Sequence, residues 1–280
     1  DGVRVLERNE ILSFEPSCKF QSALYVPQAG VVDYKVVSEM IAKKFLSLGG
    51  TIKYFQKIKT INTENNLKVL TSDKETFKSE FLINCAGLFS DTVAKLDNIK
   101  PDLRIIPFRG EYYVLSQEKA YLVNNMIYPI SDPNLPFLGI HLTKTVDGQI
   151  EAGPNAVLAF AKEGYKWSNI NVSEFMKTIS YKGMWKLGKQ YLGTGVSEMY
   201  RSLNKRVFLK EILNYIPDVR LSDLKPRVAG VRAQAVSSNG DLIDDFVFAD
   251  GNNSLHVLNA PSPAATASLA IGEYIAAKVS

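Results

Sequence analysis

The chain has 280 residues, a hydrophobic content of 46% and a formal net charge of +4, which suit one large domain or two intimate ones. Charges of both signs are interspersed and no lysine/arginine block is interleaved with aromatic residues, so we expect no nucleic-acid partner. No apolar run approaches the ~18 residues of a membrane-spanning helix, and no signal peptide is visible at the start, which predicts a cytoplasmic protein. Two cysteines and two histidines, without metal-ligand spacing, predict neither a disulfide framework nor a metal site.

The first third of the chain predicts one helix, several strands and the start of a second helix. An aspartate N-cap, apolar residues at helical spacing and a glycine stop predict a helix over residues 33–49. Short strands separated by polar turns are predicted at Thr51–Phe55, Ile58–Asn62, Leu67–Thr71 and Phe77–Ile83. The last run, FLINCAG, is almost continuously apolar, which is typical of a strand buried on both faces. Ser90 or Asp91 is expected to cap the next helix.

Beyond Asn98 the pattern becomes typical of an antiparallel sheet with a helical insert. Strands are predicted at Arg104–Leu115, Met126–Ile130, Leu138–Thr143, Gln149–Ala152 and Val157–Phe160, with a hairpin turn at Asp147-Gly148. Residues 172–215 are predicted to be mostly helical. A second hairpin, of Arg227–Val236 with Leu242–Phe248, is predicted across Asn239-Gly240.

The last segment, LHVLNAPSPAATASLAIGE, predicts a strand at Leu255–Ala260 and then a helix that ends at Ala277. Ser262 is a natural N-cap and Pro263 suits the first helical position. The turn that follows has no large side chain to block its backbone, so this helix N-terminus is a candidate site for an anion or an electron-rich ring edge. A small-residue helix packed tightly against a sheet explains the stretch equally well.

The order of these elements predicts a mixed α/β (α+β) fold. We expect an incomplete, Rossmann-like dinucleotide-binding domain formed by residues 1–98 and 222–280. A mostly antiparallel β-sheet domain with a helical insert, residues 99–221, interrupts it and is expected to bind the substrate. The junction of two such domains is a common place for a ligand.

Four small or basic residues carry candidate chemistry. Ala86 and Gly87 end an apolar strand, where the lack of bulky side chains lets a flat or phosphorylated group approach the backbone. Arg109 and Arg232 lie in strands beside small or apolar residues, where burial is costly without an anion. Two such arginines suit a substrate with two acidic groups. For Arg232 the residue types allow the alternative of a structural salt bridge to Asp241, Asp244 or Asp245.

The histidines and one basic helix are the remaining candidates. His141 lies on a predicted sheet strand, where it could act as a general base toward a substrate hydroxyl. His256 alternates within an apolar strand, so we expect it to have a structural role in the core. Residues 196–215 place basic side chains beside apolar ones; a solvated helix face is the favoured explanation and a peripheral membrane contact the other. The basic residues concerned are Arg201, Lys205, Arg206 and Lys210.

Taken together, these motifs resemble those of the L-2-hydroxyglutarate dehydrogenase/oxidase family, a branch of the D-amino-acid-oxidase-like flavoenzymes. The similar stretches, in the family's order, are AGVVDY, INCAGLFSD, RIIPFRGEYYVL, YPISDPNLPFLGIHLT, GPNAVLAFAKEGY, AGVRAQA, DDFVF and LHVLNAPSPAATASLAIGE. The resemblance implies FAD as the cofactor, a 2-hydroxy dicarboxylate as the substrate, and hydride transfer from its C2 to flavin N5 to give 2-oxoglutarate. Electrons would then leave to a quinone or to oxygen. A peripheral contact at the inner membrane face depends on the basic helix over residues 196–215, and not on the resemblance.

The resemblance also implies roles for individual residues. His141 would be the base, and Arg109 and Arg232 would face the substrate's carboxylates. The implied cofactor contacts are Ala86, Gly87, Ser262, Pro263, Ala264, Ala265 and Thr266. The sequence lacks the strand–GxGxxG–helix fingerprint with which this class holds the ADP half of FAD. Two alternatives stay open: another flavoenzyme of this class, acting on glycerol 3-phosphate or an amino acid, and a catalytically inert fragment of such an enzyme.

Overall fold

A computed structural model describes residues 2–130 and 139–279, and at positions 192, 194, 196, 197 and 201 it describes the backbone alone. Contacts between residues divide the chain into two compact units. Unit 1 comprises Asp1–Glu39, Arg109–Val157 and Gly193–Gly230, and unit 2 comprises Met40–Phe108, Leu158–Leu192 and Val231–Ser280. These units do not coincide with the two predicted functional domains, which are residues 1–98 with 222–280 and residues 99–221. The functional division stays a prediction.

The described chain contains both β-strands and α-helices. The strands are β1 (Arg4–Glu7), β2 (Ser22–Tyr25), β3 (Ile58–Glu64), β4 (Leu67–Ser72), β5 (Thr76–Ser79), β6 (Leu82–Asn84), β7 (Leu103–Gly110), β8 (Tyr113–Leu115), β9 (His141–Lys144), β10 (Ile150–Gly153), β11 (Val157–Leu158), β12 (Leu224–Pro226), β13 (Gly230–Ser237), β14 (Val247–Gly251) and β15 (Ser254–Asn259). The helices are α1 (Arg8–Phe14), α2 (Tyr34–Ser47), α3 (Ser90–Leu96), α4 (Val172–Ile179), α5 (Lys182–Leu203), α6 (Lys205–Ile212) and α7 (Ser268–Val279). The predicted mixed fold with antiparallel sheets is confirmed.

Unit 1 is built on a four-stranded antiparallel sheet with the order β12-β8-β10-β9. Strands β9 and β10 form the hairpin predicted at Asp147-Gly148, where Gly148 adopts a φ of 80°. The completely buried side chains of Phe208 and Ile212 bring α6 into the apolar core of this unit. The ring of Tyr113 packs edge-on against Phe208, with 4.6 Å between the centroids. The sheet and α6 therefore share one core.

Unit 2 contains a three-stranded antiparallel sheet, β3-β4-β5, and a second three-stranded sheet with the order β14-β15-β6. In the second sheet β15 runs antiparallel to β14 and parallel to β6. Buried Leu255 and Val257 of β15 form an apolar cluster with Ile275 of α7. This parallel pair with a helix after each strand is the α/β arrangement predicted for the two ends of the chain. A further three-stranded sheet has the order β11-β7-β13.

Helix α2 forms as its local sequence predicts. The carboxylate of Asp33 accepts hydrogen bonds from the backbone N–H groups of Lys35 at 2.9 Å and Val36 at 3.4 Å. Gly49 has a φ of 90°, which ends the helix in the left-handed conformation that glycine adopts without strain. Residues 172–215 are also largely helical, as α4, α5 and α6, with Asn204 capping α6 through a bond from the N–H of Arg206.

Several predicted strands are wrong in whole or in part. Arg104–Leu115 is divided into β7 and β8, which belong to different sheets. Thr51–Phe55 is irregular, because Phe55 has a φ of 57°, which an extended strand cannot accommodate. Phe77–Ile83 is broken into β5 and β6 by a turn in which the Ser79 hydroxyl bonds to the backbone of Phe81. Strand β6 lies at the edge of its sheet with Ile83 43% exposed, so it is not buried on both faces. Within the described residues, Met126–Ile130 makes one isolated bridge, between Ile127 and Leu142.

Two further strand expectations have other outcomes. The hairpin predicted across Asn239-Gly240 is reduced to a bridge between Val236 and Leu242, because β13 pairs with β7 and β14 pairs with β15. The strand predicted at Leu138–Thr143 begins outside the described residues, and β9 begins at His141.

Candidate functional site

A cavity of about 330 Å³ lies in unit 2, where β6 and β15 end and α7 begins. Small and apolar residues from three segments line much of it: Cys85, Gly87 and Ser90 after β6, residues 257–260 at the end of β15, and Ala264, Ala265, Ser268, Ile271 and Gly272 at the start of α7. The carboxyl ends of parallel strands and the helix start beside them are the usual ligand site of open α/β sheets.

Two glycines in the cavity wall leave space that the chain itself does not use. A Cβ placed on Gly87 or on Gly272 would meet no atom within 4 Å. Gly87 has a φ of 52°, which favours glycine, whereas Gly272 lies inside α7, where glycine costs about 0.5–1 kcal/mol relative to alanine. Gly272 is exposed, and a side chain there would contact no neighbour, so the wall is open at this position. The residues present therefore fit a flat or nucleotide-like group.

The turn before α7 differs from its prediction. Ser262 is not the helix N-cap, because Ala264–Ala267 form a 3-10 turn before α7 and Pro263 occupies the capping position of that turn. The N–H of Ala264 donates to the carbonyl of Pro261 at 2.8 Å, and the N–H of Thr266 donates to the carbonyl of Pro263 at 3.1 Å. These two amides are therefore engaged within the turn.

Seven residues are predicted to contact the cofactor, and three of them, Gly87, Ala264 and Ala265, line this cavity. The other four, Ala86, Ser262, Pro263 and Thr266, lie in the same two turns but do not belong to the lining.

A buried polar cluster, which the sequence did not reveal, adjoins these segments in unit 2. The ammonium of Lys68 lies 2.5 Å from Oδ1 of Asp97, and Oδ2 of Asp97 accepts bonds from Ser254 at 2.5 Å and from Nε2 of His256 at 3.1 Å. Burial acts to raise the pKa of Asp97, but the hydrogen bonds from these three side chains together bring that pKa below its ordinary value. Asp97 is therefore a buried carboxylate held in its charged form.

Arg109 is almost completely buried in unit 1, with 1% of its surface exposed. Its Nε and Nη2 atoms each lie 3.2 Å from Oε1 of Glu111. Oε2 of Glu111 accepts bonds from Nδ2 of Asn155 at 3.2 Å and from the hydroxyl of Ser202. The anion that faces Arg109 in the structure is thus a carboxylate of the chain itself. Glu111 could have been found from the sequence, because within the strand predicted at Arg104–Leu115 it lies two residues from Arg109 and would share its face. In the structure Glu111 directly follows β7.

His141 is the first residue of β9 in unit 1 and is half-buried. Its ring stacks on Tyr128 with 4.2 Å between centroids and an angle of 14°. Nδ1 lies 3.4 Å from the carbonyl oxygen of Gly139. Donation of an Nδ1 proton to that oxygen leaves Nε2 as the atom able to accept a proton.

Arg232 is half-buried on β13 and belongs to unit 2.

In the described part of the chain, no group of three or more histidine, cysteine, aspartate or glutamate side chains has the arrangement of a metal site. No helix in that part has the length and apolar content needed to cross a bilayer.

Comparison with protein families defines the class of this chain. The chain belongs to the FAD dependent oxidoreductase family, whose model matches residues 1–278. The cofactor of this family is FAD.

Its curated relatives narrow the comparison. The chain is 48% identical to the L-2-hydroxyglutarate dehydrogenase of Indibacter alkaliphilus over 97% of this chain and 68% of the relative. It is 41% identical to the Escherichia coli L-2-hydroxyglutarate dehydrogenase, covering 98% of this chain and 65% of the relative. The mitochondrial enzyme of that name from Homo sapiens is 39% identical, over 99% of this chain and 64% of the relative. The chain therefore spans about two thirds of the length of these relatives.

Solved structures support the fold. An L-α-glycerophosphate oxidase from Mycoplasma pneumoniae, determined with FAD bound, matches with a TM-score of 0.70 at 20% identity, over 96% of this chain and 62% of its own. A glycerol-3-phosphate dehydrogenase from Bacillus halodurans complexed with FAD matches with a TM-score of 0.62 at 14% identity, over 98% of this chain and 49% of its own. Both show a shared fold.

Proposed function

We propose that this chain oxidises L-2-hydroxyglutarate to 2-oxoglutarate with FAD. The observation that carries the proposal is the 48% identity to an L-2-hydroxyglutarate dehydrogenase across 97% of the chain. A match over 97% of the chain extends across both units. The cavity in unit 2 supports FAD binding, because its wall is made of small residues at strand ends and at a helix start.

Three side chains are assigned to the substrate under this proposal. Arg109 and Arg232 bind the two carboxylates, since a guanidinium can form paired hydrogen bonds with a carboxylate. His141 accepts the proton of the substrate hydroxyl at Nε2. FAD, when bound, supplies the acceptor for the hydride that leaves C2 of the substrate.

Arg109 requires an exchange of partners in this role. Its guanidinium pairs with Glu111 in the structure, so a substrate carboxylate would share or replace that contact. Glu111 keeps bonds from Asn155 and Ser202, which would hold its carboxylate in place during the exchange.

The functional division follows the same assignment. Residues 1–98 and 222–280 are proposed to bind FAD and residues 99–221 to bind the substrate; Arg232 is the substrate-binding residue assigned outside this second segment. The cavity wall supports the first part, because its segments after β6, at the end of β15 and at the start of α7 all fall within it.

Electrons are proposed to pass from the reduced flavin to a quinone or to oxygen, with a peripheral contact at the inner membrane face. The exposed Leu203, next to the basic residues that begin α6, supports such a contact. Phe208 opposes it, because this side chain is completely buried in the core of unit 1. Co-sedimentation with anionic liposomes tests the contact: charge reversal at Lys205 and Arg206 should release the protein, and unchanged binding would exclude this surface.

The function is tested by titrating the purified protein with FAD and then measuring 2-oxoglutarate formation. L-2-hydroxyglutarate should be converted, whereas its D-enantiomer and glycerol 3-phosphate should not. Conversion of glycerol 3-phosphate in place of L-2-hydroxyglutarate would assign the protein to a different substrate class. Absence of FAD binding would refute the activity for this chain.

A further inference from the structure

Asn84 closes the turn that joins β6 to α3. Its Oδ1 accepts the backbone N–H of Ala86 at 3.1 Å, and its Nδ2 donates to the backbone carbonyl of Ser90 at 2.9 Å. The side chain is 3% exposed. This turn supplies Cys85, Gly87 and Ser90 to the cavity wall. The buried amide of Asn84 therefore holds the shape of this one segment of the wall.

The same two bonds determine the tautomer of His256. The N–H of Ala86 needs an acceptor and the carbonyl of Ser90 needs a donor, so the amide of Asn84 cannot be reversed. Its Nδ2 therefore donates to Nδ1 of His256, which lies 3.0 Å away and carries no proton. The ring proton is then on Nε2, which donates to Asp97.

The network formed by Asn84, His256, Asp97 and Lys68 is buried along its whole length. His256 and Lys68 are 0% and 1% exposed, and the Lys68 ammonium compensates the charge of Asp97. His256 lies directly opposite Asn84 on the parallel strands β15 and β6, so the sheet fixes their separation. Apolar residues of similar size would often give equal or higher stability, and a buried polar network in which every member is bonded instead specifies one conformation.

We propose that Asn84 and His256 are positioning residues for FAD, which hold the turn 85–90 in the shape that the cofactor needs. The inference rests on the proposed function, since it requires FAD to occupy the cavity. Neither side chain lines the cavity itself, and both act through the backbone of the turn.

Asn84→Asp and His256→Phe test the network in the full-length protein. Asn84→Asp keeps an acceptor for Ala86 but places a carboxylate oxygen against the carbonyl of Ser90 and removes the donor to His256. Both variants should raise the Kd for FAD about tenfold or more, since each removes at least two buried hydrogen bonds of the network. They should also shift the visible spectrum of the bound flavin toward that of free FAD.

Ser72→Ala is the matched control. The Ser72 hydroxyl is buried in unit 2, where its single proton lies between Oε1 of Gln56 at 2.6 Å and the carbonyl of Glu75 at 2.9 Å. Ser72 is not part of the cavity lining. This variant should lower the Tm while leaving the Kd for FAD and the flavin spectrum unchanged. Asn84 and His256 variants that bind FAD within twofold of the wild type, with the wild-type spectrum, would overturn the positioning role. So would Ser72→Ala weakening FAD as much as they do.

Imidazole ¹⁵N NMR of the wild-type protein tests the network without any variant. The expected result is the Nε2–H tautomer for His256 and a change in its shifts when FAD is added. The Nδ1–H tautomer, or shifts that do not respond to bound FAD, would refute the inference. A wild-type protein that binds no FAD overturns the function and the positioning role together. One that oxidises L-2-hydroxyglutarate, but whose variants behave as the wild type, overturns the positioning role alone.

Discussion

The ammonium of Lys68 and the carboxylate of Asp97 form an ion pair at 2.5 Å with side chains only 2% and 4% exposed. Their positions lie 29 residues apart in the chain, one on β4 and the other directly after α3. The pair therefore joins the antiparallel sheet of unit 2 to the helix that follows the cavity turn. Because both charges are removed from water, each depends on the other for compensation.

Lys68→Met should destabilise the protein by about 3–5 kcal/mol, since it leaves the buried carboxylate of Asp97 without its cation. Lys59→Met is the control on the neighbouring strand β3, where Lys59 pairs with Asp73 at 3.0 Å and both side chains are about half exposed. That variant should cost about 0–1 kcal/mol. Urea unfolding measures both values, and equal losses would contradict the buried pairing.

Asp97→Asn should change how stability depends on pH. The pKa of Asp97 is lowered in the folded state, so its stabilising contribution is complete above the pKa of the unfolded chain and is lost as pH falls through the lower folded value. The difference in free energy of unfolding between wild type and variant should therefore shrink toward low pH. Urea titrations at several pH values measure it. A difference that stays constant with pH would show that the charge of Asp97 does not contribute.

Arg109→Lys should raise the KM for L-2-hydroxyglutarate about 10- to 100-fold, because lysine cannot form the paired hydrogen bonds of a guanidinium. Arg104→Lys is the control on the same strand, where Arg104 lies over the ring of Tyr181 at 4.8 Å. It should leave KM close to the wild-type value. Steady-state kinetics compare the two, and an unchanged KM in Arg109→Lys would remove this residue from the substrate site.

Ala265→Leu should weaken FAD binding about tenfold or more by filling the cavity. Ala277→Leu makes the same substitution at an exposed position of α7 outside the cavity lining, and FAD binding should be unaffected there. Flavin fluorescence titration distinguishes the two variants. Equal affinities would place the cofactor elsewhere.

Features that depend on neighbouring residues were predictable from the sequence. The bounds of α2 follow from Asp33 and Gly49, because a cap and a stop act within a few residues. Gly87, Ala264 and Ala265 were identified from small residues that follow apolar strands, and the structure places all three in one cavity wall.

Features that depend on distant pairing were not predictable in the same way. The edge position of β6 and the partner of β13 are decided by strands far along the chain. The contact of Lys68 with Asp97 has the same origin, and its only sequence signal is one lysine within the apolar strand LKVLTS. Hydrophobic periodicity reports which face is buried, but it carries no information about which strand lies opposite.

The most direct measurement is the visible absorption spectrum of the FAD-loaded protein under anaerobic conditions after L-2-hydroxyglutarate is added. The flavin band should bleach with the L-enantiomer and remain unchanged with D-2-hydroxyglutarate and with glycerol 3-phosphate. A bound flavin that stays oxidised in the presence of L-2-hydroxyglutarate would contradict the proposed oxidation.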